Sequence, residues 1–230
     1  MAIRRLLGAL GAAALALATI APAAQGADVE PMTPTMMQQM VLRVQFPMSL
    51  GPWRQYLYGT TDHAAPTVCW GATGAVTLPK AALAGSVSYQ VNPYTDGTVT
   101  VYQYASAAKA AQALTALRAV DCTGNPKVPT EAEVLVTGDQ AYDQTDAAFT
   151  GLGSAMTYLE PGENLRGYVS TLSTQRGLAI VQTQVRRYRS LPQSMTQQQA
   201  ALDRVDRVNG RWHAQVLTAY QAFGVEGMAR

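Results

Sequence analysis

Between Ser86 and Tyr104 the chain twice adopts the pattern of a half-buried strand. Val87, Tyr89 and Val91 alternate with Ser86, Ser88 and Gln90, a period of two that puts apolar side chains on one face. Thr98-Val99-Thr100-Val101-Tyr102-Gln103-Tyr104 is a second run, β-branched and aromatic. Between them Pro93-Tyr94-Thr95-Asp96-Gly97 is turn chemistry, with Asp-Gly expected at the positive-φ positions of a hairpin. Two strands this close in sequence pair antiparallel, and a lone hairpin cannot hide its apolar face. The rest of the chain must therefore supply cover for a sheet.

The cover is legible on both sides. Ser106 caps an alanine-rich helix to about Ala119, with Ala107, Ala110, Ala111, Leu114 and Leu117 as its apolar face. Upstream, Thr35 to about Gln45 reads as a short helix with Met36, Met37, Met40, Val41 and Val44 on one stripe. That stripe suits core packing or a pliable binding surface. The stretch 59–66 reads as loop. Further strands are expected at Glu131–Thr137, more weakly at Ala155–Leu159, and as a hairpin of Arg166–Thr174 with Leu178–Arg186 around Gln175-Arg176-Gly177. After Pro192 a long helix begins, with Ser194 or Thr196 as cap and Gln three residues on. Leu202, Val205, Val208, Trp212, Val216, Ala219 and Phe223 keep its 3–4 spacing, and Asn209-Gly210 is expected to kink or split it. The expectation is a single α+β domain, a mainly antiparallel sheet with flanking helices and one disulfide. Its bounds are 36–224, after a flexible lead-in at 27–35 and before a tail at 225–230.

The first 26 residues have the layout of a secretory signal peptide. Arg4 and Arg5 precede the apolar run Leu6–Ile20, and Ala21–Ala27 is a small-residue cleavage region. Cleavage is expected after Gly26, with Ala23 as second choice, and general secretion is favoured over twin-arginine export. No cysteine follows the apolar run, so no lipoprotein anchor is expected, and no later run is long enough to span a membrane. The chain holds 17 basic and 15 acidic residues. Without the leader's two arginines it is formally neutral, which argues against a nucleic-acid or anionic-membrane binder. In an exported chain the two cysteines, Cys69 and Cys122, are expected to form a disulfide. The alternatives are two buried thiols, or a catalytic cysteine served by His63 or His213.

Catalytic signatures are scarce. There is no Gly-x-Ser-x-Gly elbow, no His-Glu-x-x-His and no phosphate loop. Gly151-Leu152-Gly153 only begins a dinucleotide-like pattern. Ser106-Ala107-Ala108-Lys109 matches Ser-x-x-Lys, yet none of the three lysines starts the accompanying Lys-Thr-Gly strand. Asp139, Asp143 and Asp146 lack the alternating oxygens of a calcium loop. No metal, cofactor or catalytic residue is therefore assigned. A hydrolase would have to gather its site from scattered residues, such as Ser154 or Ser106 with His63 or His213. Two features suit binding instead. Tyr89, Tyr94, Tyr102 and Tyr104 cluster at the first hairpin and Tyr168 lies on a later strand, so they can floor a ligand cleft. Arg186, Arg187 and Arg189 form the densest positive patch and suit a carboxylate or phosphate. The ligand-binding residues expected are Tyr89, Tyr102, Tyr104, Tyr168 and Arg186.

The run Thr98–Ala111 through Cys122, with Gly138-Asp139-Gln140-Ala141 before the later strands, resembles the exported sensor-like domains of actinobacteria. These include the extracellular sensor of PknH-type serine/threonine kinases. The resemblance implies an antiparallel sheet with flanking helices and a cleft for an unidentified ligand. It carries over no catalytic residue. The function expected is an exported, soluble, sensor-like ligand-binding domain without catalytic activity, its partner an unknown small molecule or envelope component. A secreted hydrolase, and an envelope interaction module using the Met36–Val44 stripe or the sheet edge, are the alternatives.

Overall fold

The computed structural model describes residues 31–61, 65–66, 78–120, 133–137, 151–159 and 164–228. Among the described residues seven strands form one sheet: β1 (Arg54–Thr61), β2 (Leu83–Asn92), β3 (Thr95–Gln103), β4 (Glu133–Thr137), β5 (Gly151–Leu159), β6 (Leu165–Arg176) and β7 (Ala179–Ser190). Their order is β1-β2-β3-β7-β6-β5-β4, and every neighbouring pair is antiparallel. Two meanders, β1–β3 and β4–β7, thus join where β3 pairs with β7. The helices are α1 (Pro34–Arg43), α2 (Ala107–Arg118) and α3 (Met195–Met228). Cys69, Cys122, His63, the acidic cluster at 139–146, the leader and the last two residues lie outside the described residues.

Alternation along the strands assigns the two faces. Val87, Tyr89, Val99, Val101, Tyr168, Val181 and Val185 pack with α1 and α3 in one core, around Trp212. Ala84, Tyr102, Tyr104, Leu152 and Ile180 pack on the other face beneath Ala110, Ala113, Leu114 and Leu117 of α2. The sheet is thus sandwiched between α1 and α3 on one side and α2 on the other. The buried stripe of α2 includes Ala113, while the expected Ala111 is exposed. Ser106 caps this helix, its Oγ accepting from the Lys109 N–H at 3.2 Å. The methionine stripe of α1 is core: Met37, Met40 and Val41 are buried against the sheet. Thr33 caps α1, and Met32, already buried, exchanges hydrogen bonds with the Gln103 side chain at 2.6 and 3.0 Å. Met32 and Thr33 thus already belong to the packed structure.

Three expectations are corrected. Residues 59–61 continue β1, because pairing of Gly59, Thr60 and Thr61 with Ser86, Gly85 and Ala84 outweighs their loop-like composition. The first hairpin turns at Pro93-Tyr94, three residues earlier than its Asp-Gly suggests. Asn92 Oδ1 accepts from the Tyr94 N–H at 2.8 Å, and Asp96-Gly97 lies within β3 opposite Gln90 and Tyr89. The α3 helix is continuous through Asn209-Gly210. Asn209 is fully buried, and its Nδ2 donates to the Ser170 carbonyl (2.9 Å), Ser170 Oγ (3.1 Å) and the Thr183 carbonyl (3.3 Å). These tertiary bonds exceed the roughly 1 kcal/mol by which an interior glycine disfavours a helix. The capping box forms as expected: Ser194 N–H donates to Gln197 Oε1 (2.9 Å) and Gln197 N–H to Ser194 Oγ (3.3 Å).

Candidate functional site: an arginine-lined cleft

The run Val185-Arg186-Arg187-Tyr188-Arg189 looks like one basic patch in sequence, but a strand divides it between two faces. Arg186 and Tyr188 share the α2 side. Arg186 is held by Asp96, its directly opposite residue on β3, with Nε and Nη2 donating to Oδ2 at 2.9 and 2.7 Å. Its guanidinium also lies 5.4 Å from the centre of the Tyr188 ring. Burial raises the Asp96 carboxyl above its usual range, and the Arg186 hydrogen bond and charge oppose that shift. This cation is neutralised within the fold.

Arg187 and Arg189 point to the other side, where α3 lies. There Arg166 sits directly opposite Arg189 on β6, and Arg204 approaches from α3. Like charges directly opposite one another weaken a strand pair, so this arrangement works against stability. Arg166 Nη1 donates to Thr157 Oγ1 at 3.2 Å, but the Nε groups of Arg166 and Arg189 are buried without a hydrogen-bond partner. Burial, then the charges of Arg189 and Arg204, hold the Arg187 guanidinium below its usual range. Among the described residues no carboxylate pairs with Arg187, Arg189 or Arg204. The two acids of α3 that the structure describes fully are engaged elsewhere: Asp206 accepts from Ser170 at 2.8 Å and Asp203 from Gln199 at 2.7 Å.

These arginines line an open cleft. Tyr94, Arg187, Tyr188, Arg189, Ser190 and Gln193 border a hollow of about 460 Å³ at the end of β7. Arg189 and Gln193 also border a second hollow, of about 280 Å³, together with Gln197 and Arg204 at the start of α3. Amide, hydroxyl and phenol groups thus accompany the guanidinium donors, and no acid lines either hollow. The positive end of the α3 dipole lies beside them. The chemistry on offer is capture of an anion.

The expected tyrosine floor does not form, because the sheet separates its members. Tyr89 is a core residue of the α1–α3 face, its ring against Phe46, Trp53 and Trp212 and its hydroxyl donating to the Val44 carbonyl. Burial pushes its phenol up to about 12. Tyr102 and Tyr104 lie on the opposite face under α2. Tyr102 donates to Gln182 Oε1 at 3.4 Å and is raised to about 12 by burial, and Tyr104 is raised further by burial and by Tyr102. Tyr94 borders the first hollow, and Tyr168 meets the cleft only through its hydroxyl, which donates to Gln193. Of the five residues expected, Arg186 is spent on Asp96. Arg204 and Arg166 have no local signature, since α3 and β6 bring them to the arginines of β7 from 15 or more positions away.

The hydrolase pairings are also placed. His213 is fully buried on the α3 face, where Nε2 bonds Thr174 Oγ1 at 2.8 Å and Nδ1 bonds Thr183 Oγ1 at 2.9 Å. Burial lowers its pKa to about 3. Ser106 caps α2 on the other face, and Ser154 lies opposite Thr171, also on that face. The sheet stands between both serines and His213. Among the described residues no three His, Cys, Asp or Glu side chains gather as a metal site, and no helix is long and apolar enough to cross a membrane.

Comparison with protein-family models gives no match, and no curated protein matches significantly. Among solved structures the chain is similar to the extracellular domain of PknH from Mycobacterium tuberculosis. The identity is 11% and the TM-score 0.38, over 77% of this chain and 92% of that one. The likeness is weak, and the site's chemistry is read from its own geometry.

Proposed function

We propose that this chain is an exported, sensor-like binding domain without catalytic activity, which takes an anionic ligand in the cleft of Arg187, Arg189 and Arg204. The observation that carries the reading is the convergence of like charges from β7, β6 and α3 with no carboxylate among them. Such a cluster costs stability in the empty protein, and a bound oxyanion relieves that cost by accepting charge-assisted hydrogen bonds. The leader-like first 26 residues support export, and the Cys69–Cys122 bridge belongs to the same proposal. Thiol titration of denatured, unreduced secreted protein should find no free sulfhydryl.

The direct test is calorimetric titration with inorganic phosphate. Arg187→Gln should weaken binding roughly tenfold or more, the loss of one charge-assisted contact. Arg186→Gln, on the other face, should leave the affinity unchanged. Equal affinities for the wild type and Arg187→Gln would place the ligand elsewhere.

A further inference from the structure

The cationic cleft does not stop at Arg204. A third hollow, of about 420 Å³, shares Ala200 and Arg204 with the second and is bordered beyond them by Arg207, Val208, Arg211 and Ser49. Arg204, Arg207 and Arg211 follow i, i+3, i+7 along one stripe of α3, a span of roughly 10 Å. Arg207 and Arg211 are exposed, and neither pairs with a carboxylate among the described residues. The three hollows therefore read as one groove, from Tyr94 to Arg211, with five arginines and no acid along it.

Resting on the anion-binding reading above, we infer that the groove takes a linear polymer bearing repeated phosphate groups. One small anion satisfies two or three guanidinium groups, and it leaves Arg207 and Arg211 uncompensated a turn or two farther along. A chain of anions engages them all, and each further contact is intramolecular once the first has formed. Phosphate fits better than carboxylate at the cleft, because the arginines approach from a strand and a helix rather than in one plane. A tetrahedral group can accept from several directions, whereas a planar carboxylate favours a single fork. Single-stranded nucleic acid fits less well: such grooves alternate cations with aromatic platforms for the bases. Here Tyr94 and Tyr188 border only the first hollow, and Ala200, Val208 and Ser49 line the Arg204–Arg211 stretch.

The test compares tripolyphosphate with long-chain inorganic polyphosphate, poly-deoxythymidylate and poly-glutamate on the full exported chain at physiological salt. Long-chain polyphosphate should bind at least tenfold more tightly per chain than tripolyphosphate. The Arg207→Ala/Arg211→Ala double variant should lose that advantage while binding tripolyphosphate as the wild type does. Both positions are exposed, and an unchanged melting temperature would verify the fold. Equal binding of short and long phosphates, or an unaffected double variant, would overturn the inference and leave the cleft reading intact. Poly-deoxythymidylate or poly-glutamate binding as tightly as polyphosphate would overturn the assignment of the polymer. No binding of any phosphate would refute the cleft reading itself.

Discussion

Gly97 on β3 faces Phe46 so closely that a side-chain carbon on the glycine would lie 2.7 Å from Phe46 Cζ and 3.0 Å from Cδ2. Phe46 has no room to yield. Its ring stacks on Tyr89 with centres 5.5 Å apart and meets Trp212 edge-on at 4.7 Å. Trp212 in turn donates from Nε1 to the Gln45 carbonyl at 2.9 Å. Gly97→Ala should therefore destabilise the fold by about 1–3 kcal/mol through overpacking. Combining it with Phe46→Leu should recover part of the loss. Additive costs in urea unfolding would contradict the shared volume.

Gly210 is the opposite case. It lies inside α3, and nothing sits within 4 Å of where its Cβ would be. Gly210→Ala should stabilise the protein by up to about 1 kcal/mol, the helix-propensity difference. A fall in melting temperature would reveal a constraint at this turn that the packing does not show.

His213 makes stability depend on pH. Its folded pKa of about 3 lies below the ordinary 6.5, so the unfolded chain takes up this proton first as pH falls. The contribution is intact above pH 6.5 and is lost between pH 6.5 and about 3, at a slope of about 1.4 kcal/mol per unit. His213→Gln should be less stable at pH 7.5 yet show a shallower decline on acidification, in denaturant midpoints measured at each pH. Parallel curves for the two proteins would remove His213 from the account.

The Asp96–Arg186 pair is only partly exposed, at 26% and 23% of side-chain area for Arg186 and Asp96 respectively. A double-mutant cycle with Asp96→Asn and Arg186→Gln should give a coupling of about 1 kcal/mol, at the upper end for exposed pairs and well below the loss on breaking a buried one. Arg186→Gln should also raise the Asp96 pKa, since it removes both influences that oppose burial. Carboxyl NMR titration reads this directly, and an unmoved Asp96 would refute it.

Arg187 should show a conflict between binding and stability. Arg189 and Arg204 repel it, so Arg187→Gln should melt no lower than the wild type while binding phosphate more weakly. Sites that carry function against stability behave this way. A clear drop in melting temperature would mark Arg187 as a structural residue instead.

The alternation at Ser86–Asn92, the Ser106 cap, the β6–β7 hairpin and the Ser194 capping box were legible because each depends on neighbours within a few residues. The division of the arginines was legible in principle too. A strand's period of two separates Arg186 from Arg187 and Arg189, once the strand is known to extend to Ser190. With the strand ending near Arg186, as its local pattern suggests, the three look like one patch. What local pattern could not supply was partnership across distance. Gly97 carries a turn signature but serves to admit Phe46, which arrives from 51 positions away. Asn209-Gly210 carries a helix-breaking signature, overridden by bonds to Ser170 and Thr183. Composition and periodicity determined that this chain builds a mainly antiparallel sheet with flanking helices. Which tyrosines share a face, which arginine meets an acid, and which arginines gather without one were decided only by the register of β3, β7 and β6 and by α3 lying across them. Those relations depend on strand order, and no local preference encodes strand order.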